Sequence, residues 1–179
     1  MPFTELGLSD KVLQAVTAAG YTEPTPIQAQ GIPHVLARRD VLGIAQTGTG
    51  KTAAFVLPML AKLARTSGGG HRQGVRVLIV APTRELVVQT HDNVRAYSRH
   101  LPLRVATVFG GVGEHAQIQA LRSGVDIVIA TPGRLLDLMG RRHADFSALQ
   151  FLVLDEADRM LDMGFLPDIR RIVQALPKK

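Results

Sequence analysis

The sequence predicts an α/β fold, a largely parallel sheet with helices on both faces. Short apolar runs rich in β-branched residues recur along the chain, and segments of helical patterning separate them. The runs are nearly continuous in apolar character, as strands buried on both faces require. With 179 residues, 46% apolar and 20% charged, the chain suits one domain with a sizeable core and is not mainly disordered.

Taken in order, Ser9 stands where it can cap a helix running to about Ala19, with Gly20 as its stop. Val41–Ala45 reads as the first strand and 51–64 as a helix. Thr66 to Gly74 is a glycine-rich surface loop. Strands follow at Val75–Ala81, Val105–Phe109, Asp126–Ala130 and Phe151–Leu154. Helices are expected at 84–98, 114–123, 133–139 and 166–176. In such sheets ligands sit at the carboxyl ends of the strands, where the most unusual residues of this chain cluster, so one face is expected to carry the chemistry.

Several function classes drop out. The chain has no cysteine, which excludes disulfide scaffolds, thiolate zinc sites and cysteine nucleophiles, and suits a reducing, cytoplasmic compartment. The six histidines show no metal-ligand pair at helical spacing. No apolar run approaches the roughly 20 residues of a membrane span, so no membrane partner is expected. The opening residues have neither a basic region nor an apolar core of a signal peptide. Net charge is +6, and the whole excess lies in 61–150, with twelve basic and six acidic residues. A basic middle suits a polyanion such as nucleic acid, although an ordinary solvated surface has the same signature.

Ala45-Gln46-Thr47-Gly48-Thr49-Gly50-Lys51-Thr52 lies between an expected strand and an expected helix. This is the P-loop context, with Ala45 in place of the first glycine. Gly48 and Gly50 let the backbone wrap a phosphate, and the helix N-terminus adds positive potential. Lys51 can reach the β- and γ-phosphates, and the Thr52 hydroxyl can bind Mg²⁺. Asp155-Glu156-Ala157-Asp158 ends the run Phe151–Leu154. Alone, such a cluster reads as a solvated turn. With a P-loop upstream, Asp155 reads as an Mg²⁺ holder, directly or through water, and Glu156 as the group that orients or deprotonates an attacking water.

On these residues the chain resembles the DEAD-box ATP-dependent RNA helicases, specifically their N-terminal RecA-like domain. Gly20-Tyr21-Thr22-Glu23-Pro24-Thr25-Pro26-Ile27-Gln28 is similar to the family's Q motif, with Phe3 as the upstream aromatic. Pro82-Thr83-Arg84-Glu85-Leu86 resembles motif Ia, Gly110-Gly111 the GG motif and Thr131-Pro132-Gly133-Arg134 motif Ib. Asp158 to Phe165 looks most like the bacterial RhlE subgroup.

The resemblance implies ATP as substrate and Mg²⁺ as cofactor. It makes Lys51, Asp155 and Glu156 catalytic, and Thr52 and Asp155 the metal-holding pair. It places Phe3, Tyr21, Thr25, Gln28, Gln46, Thr47, Gly48, Thr49, Gly50, Lys51 and Thr52 around the nucleotide. Gln28 would pair with adenine N6 and N7, and Phe3 would pack on the ring. Taken alone, Gln28 reads as a helix-surface glutamine and Phe3 as a core anchor. Thr83, Arg84, Gly110, Gly111, Thr131, Pro132, Gly133 and Arg134 would line a track for the RNA backbone, with little sequence preference. Taken alone, Thr131-Pro132-Gly133 is a plain turn and Gly110-Gly111 a strand terminator.

The family's Ser-Ala-Thr motif and second RecA-like domain are not in these residues. The chain is therefore expected to be the N-terminal part of a longer protein, and less stable than a piece extended by roughly 30 residues, about one further strand and helix. It is expected to bind adenine nucleotide with negligible turnover by itself, because an arginine finger contributes about 10³–10⁵ in rate. The competing reading is a non-catalytic, nucleotide-dependent module that binds RNA or a partner protein.

Overall fold

The computed structural model describes residues 2–37, 39–43, 50–66 and 74–177. A 3₁₀ turn at Phe3–Glu5 precedes α1 (Asp10–Ala18), α2 (Pro26–Leu36) and α3 (Lys51–Thr66). Then come β1 (Val77–Val80), α4 (Arg84–Tyr97), β2 (Val105–Val108), α5 (His115–Ser123), β3 (Ile127–Ala130) and α6 (Pro132–Gly140). The described chain closes with β4 (Phe151–Leu154), α7 (Ala157–Asp162) and α8 (Leu166–Ala175). Every helix expected from the sequence forms, with ends within two residues of expectation. Two helices, α2 and α7, go beyond it.

The strand expected at Val41–Ala45 does not appear in its described part. Val41–Gly43 have no strand pairing, and Leu42 is 85% exposed. An apolar run states only that a segment can be buried; a strand also needs a partner ladder. Ile44 and Ala45 lie outside the described residues.

The chain divides into two compact units. The first holds residues 1–70 and 93–102, and its helices α2 and α3 pack together. Phe3, Val12, Val16, Ile32, Leu57 and Leu60 are among its buried side chains. Gly20 ends α1 as expected, at φ +87°, with Gly20 N–H donating to the Thr17 carbonyl and Tyr21 N–H to that of Val16. These are the two bonds of a Schellman cap. Ser9 occupies the N-cap position with extended backbone, but its Oγ is buried without a hydrogen bond, so the cap is positional only.

The second unit holds residues 71–92 and 103–179 and contains the sheet. Its order is β2-β3-β1-β4, and every pairing is parallel. Leu78, Val80, Val128 and Ala130 face a core built with Leu135, Leu138, Met160 and Ile172. Val77, Ile79, Ile127 and Ile129 alternate onto the opposite face and are equally buried. Burial on both faces explains why the sequence shows unbroken apolar runs. Arg76, 4% exposed, ties the starting edge together through a 3.0 Å ion pair with Asp126, whose other oxygen accepts Arg104 N–H at 2.9 Å. No described helix is long and apolar enough to cross a membrane.

Candidate nucleotide and nucleic-acid sites

In the first unit, α2 begins with Thr25 at its N-cap, Pro26 at the first helical position and Gln28 at the third. Proline there lacks only an N–H that would have no intrahelical partner anyway. Thr25 and Gln28 have the capping-box arrangement. Its well-formed bond runs from Thr25 N–H to Gln28 Oε1 at 3.0 Å, whereas buried Thr25 Oγ1 makes no bond of good geometry. The helix-surface reading of Gln28 is overturned: the side chain is fully buried. Its Nε2 donates to the Gly50 carbonyl at 3.2 Å, the same oxygen that accepts Ala54 N–H in the first turn of α3.

Gly50 has φ +81°, and a Cβ there would stand 2.2 Å from Gln28 Nε2. The contact therefore requires glycine twice over, for conformation and for space. Gln28 retains a second amide hydrogen and a second lone pair, the complement an adenine edge needs. Lys51 and Thr52 open α3 and are partly exposed. Gln46, Thr47, Gly48 and Thr49 lie outside the described residues. Phe3 is 5% exposed, which is the core-anchor placement. Tyr21 is 37% exposed and accepts a 3.1 Å hydrogen bond from the Tyr97 hydroxyl. Burial, and then this bond, push the Tyr97 phenol above its usual range.

In the second unit, the strand registers align Val108, Ala130, Val80 and Leu154. The residues just beyond them extend the ladder: Thr131 N–H to the Val108 carbonyl, Ala81 to Ala130, and Asp155 to Val80. Four loops of chemical interest therefore leave one edge of one sheet. Asp155 follows β4 there. Glu156 follows at φ +51°, a left-handed conformation that costs a non-glycine residue about 1–2 kcal/mol. Its Oε2 accepts from Arg159 Nη1 at 3.3 Å. Strain of this kind persists where surrounding structure over-determines the residue and is concentrated at functional sites.

The remaining loops carry the expected track. Arg84 is exposed, with its guanidinium carbon 5.0 Å from the centre of the Phe109 ring. Thr83 Oγ1 accepts Leu86 N–H at 3.2 Å and so caps α4. Gly110, Gly111 and Gly133 are exposed; a Cβ on any of them meets nothing within 4 Å, and only Gly111 has positive φ. The chain's own packing does not demand glycine at 110 or 133, and both leave open surface beside the backbone. Thr131 is the N-cap of α6, and Pro132 is buried at its first position, a packing role instead of a surface contact. Arg134 Nη2 donates to the Val112 carbonyl at 3.1 Å and Nη1 to Gln117 Oε1 at 3.2 Å.

A family model described as DEAD/DEAH box helicase matches residues 25–179. The chain belongs to the DEAD/DEAH box helicase family. It is similar to DEAD-box ATP-dependent RNA helicase 30 of Arabidopsis thaliana, at 48% identity over 174 residues, 97% of this chain. The chain spans 29% of that relative's length. The RecA-like reading of the fold stands with the family: a four-stranded, all-parallel sheet with helices between its strands.

Thr52 in the first unit and Asp155 in the second each offer a hard oxygen of the kind Mg²⁺ takes, and Mg²⁺ at phosphates needs only one or two protein ligands. Among the described residues no three His, Cys, Asp or Glu gather into a metal cage. Sequence reasoning missed Gln117, Phe109, Tyr97 and Arg159, which hold site residues in place. Only α2 had a readable signal, the Thr25-Pro26-Ile27-Gln28 capping pattern. The partners of Gln117 depend on two loops meeting, which no local pattern encodes.

Proposed function

We propose that this chain is the nucleotide-binding part of a DEAD-box ATP-dependent RNA helicase that locally separates RNA duplexes. The observation that carries the reading is the aligned edge of four parallel strands. It presents Thr83 and Arg84, Gly110 and Gly111, Thr131 to Arg134, and Asp155 with Glu156. Gln28 selects adenine through its second amide hydrogen and lone pair. Lys51 offsets charge on the β- and γ-phosphates. Thr52 and Asp155 would be the residues to hold Mg²⁺, which when bound would neutralise further phosphate charge. Glu156 orients the attacking water and accepts its proton as the oxygen bonds to the γ-phosphorus. The bond from that phosphorus to the β–γ bridging oxygen breaks, and ADP leaves.

Hydrolysis requires a second RecA-like domain, so turnover by this chain alone is negligible. RNA is gripped by its backbone with little sequence preference. The segment Asp158 to Phe165 supports placement in the RhlE subgroup. Titration calorimetry with Mg²⁺·ADP, Mg²⁺·ATP and Mg²⁺·GDP tests the nucleotide site. Adenine-selective binding, lost in Gln28→Ala and weakened in Lys51→Ala, is expected. Equal binding of ADP and GDP overturns the adenine assignment. RNA-stimulated hydrolysis by the chain alone, abolished in Glu156→Gln, overturns the need for a second domain.

A further inference from the structure

A buried glutamine lies beneath the residues of the proposed RNA track. Gln117 on α5 is 8% exposed, and both ends of its amide are engaged. Its Nε2 donates to the Phe109 carbonyl at 3.0 Å, and its Oε1 accepts from Arg134 Nη1 at 3.2 Å. The orientation is unambiguous, since the flipped amide would set N–H against guanidinium and carbonyl against carbonyl. Arg134 makes a second bond, to the Val112 carbonyl. Gln117 and Arg134 thus clamp the 109–113 loop from both ends. Phe109 also supports Arg84 from beneath, with its ring 5.0 Å from the guanidinium. One side chain therefore connects, directly or through Phe109, to both arginines and to the glycine loop between them.

We propose that Gln117 is a positioning residue for RNA binding. It fixes the Gly110–Gly113 loop and directs two of Arg134's five N–H groups inward, so that the guanidinium meets a phosphate in one defined pose. This rests on the RNA-track reading above. A glutamine suits the task because it is neutral: it orients Arg134 without cancelling the charge that a phosphate requires. A glutamate would hold the arginine too, but would neutralise it and oppose the Phe109 carbonyl.

The test is fluorescence anisotropy of a labelled oligouridine with the purified chain across a salt series, for wild type and five variants. These are Gln117→Met, Gln117→Glu, Arg134→Ala, the double variant Gln117→Met/Arg134→Ala, and Arg84→Ala. Gln117→Met is expected to lower affinity about fivefold, as loosening of one charge-assisted contact would. Its slope of log affinity against log salt should flatten by about 0.7, one phosphate contact to a single strand. Gln117→Glu should do the same, and it keeps the test alive if Gln117→Met does not fold. In the Arg134→Ala background, Gln117→Met should add nothing to the change in salt slope, a non-additivity that a purely structural role would not produce. Arg84→Ala separates two failures. If Arg84→Ala flattens the slope while both Gln117 variants match wild type, the positioning role is overturned and the track stands. If wild type shows no salt-dependent binding, the track reading falls and the proposal with it.

Discussion

Gly50→Ala tests the contact between the adenine-reading segment and the start of α3. The added Cβ would lie 2.2 Å from Gln28 Nε2, 3.2 Å from its Cδ and 3.3 Å from Thr25 Oγ1. A normal contact is about 3.5 Å, so the amide must retreat by about 1.3 Å. Gln28 is fully buried, so the amide retreats only by moving its neighbours. Its bonds to Thr25 N–H and to the Gly50 carbonyl break together, at about 1 kcal/mol each. The left-handed backbone at φ +81° adds about 1 kcal/mol for a residue with a Cβ. The expected loss is about 3 kcal/mol. In a Gln28→Ala background the clash and both bonds are already gone, and Gly50→Ala should cost only about 1 kcal/mol. Urea denaturation of the four proteins of this cycle measures the coupling, expected at about 2 kcal/mol, or roughly a 1 M difference in midpoint shift. Equal cost of Gly50→Ala in both backgrounds would refute the argument.

Three further outcomes follow from the same geometry. Relief of left-handed strain at Glu156 should make Glu156→Gly as stable as wild type or up to about 1 kcal/mol more stable, after the added chain entropy. Glu156→Val should be the least stable of the three, and urea midpoints in any other order count against strain at this residue. Gly133→Ala adds a Cβ in open space in the first turn of α6, so stability should rise by about 0.5 kcal/mol while oligouridine affinity falls. A rise in both would count against an RNA backbone passing close to Gly133. Arg141 bonds Glu114 and Asp137, and its bond to Glu114 holds that carboxyl below its usual 4.5. A depressed carboxyl stabilises the fold above its unfolded value and loses that contribution as pH falls through the folded one. The advantage of wild type over Arg141→Ala should therefore be full at about pH 6 and shrink below about pH 4; a constant difference in urea midpoint across that range rejects the linkage.

Much of this protein is legible without coordinates. Burial on both faces makes β1 and β3 read as unbroken apolar runs, β2 and β4 are less deeply buried, and the helices between them carry their own periodicity. The loops after the strands stand out because Gly110, Gly111, Pro132 and Asp155 are poor strand formers set beside good ones. Such signals are local, so the linear chain holds them. The strand order β2-β3-β1-β4 is not local. Neither is the common register that brings the four loops to one edge, nor the loss of strand pairing at Val41–Gly43. Ladder partners are chosen by contacts between segments far apart in sequence. The same reason hid the roles of the polar side chains. Gln117 is an unremarkable helix glutamine until the 109–113 loop closes over it, and nothing local to Gln28 shows that its amide reaches the Gly50 carbonyl. Burial then makes every amide hydrogen and lone pair count. A sequence names the groups available for chemistry; tertiary packing decides which of them touch the ligand and which hold the others in place.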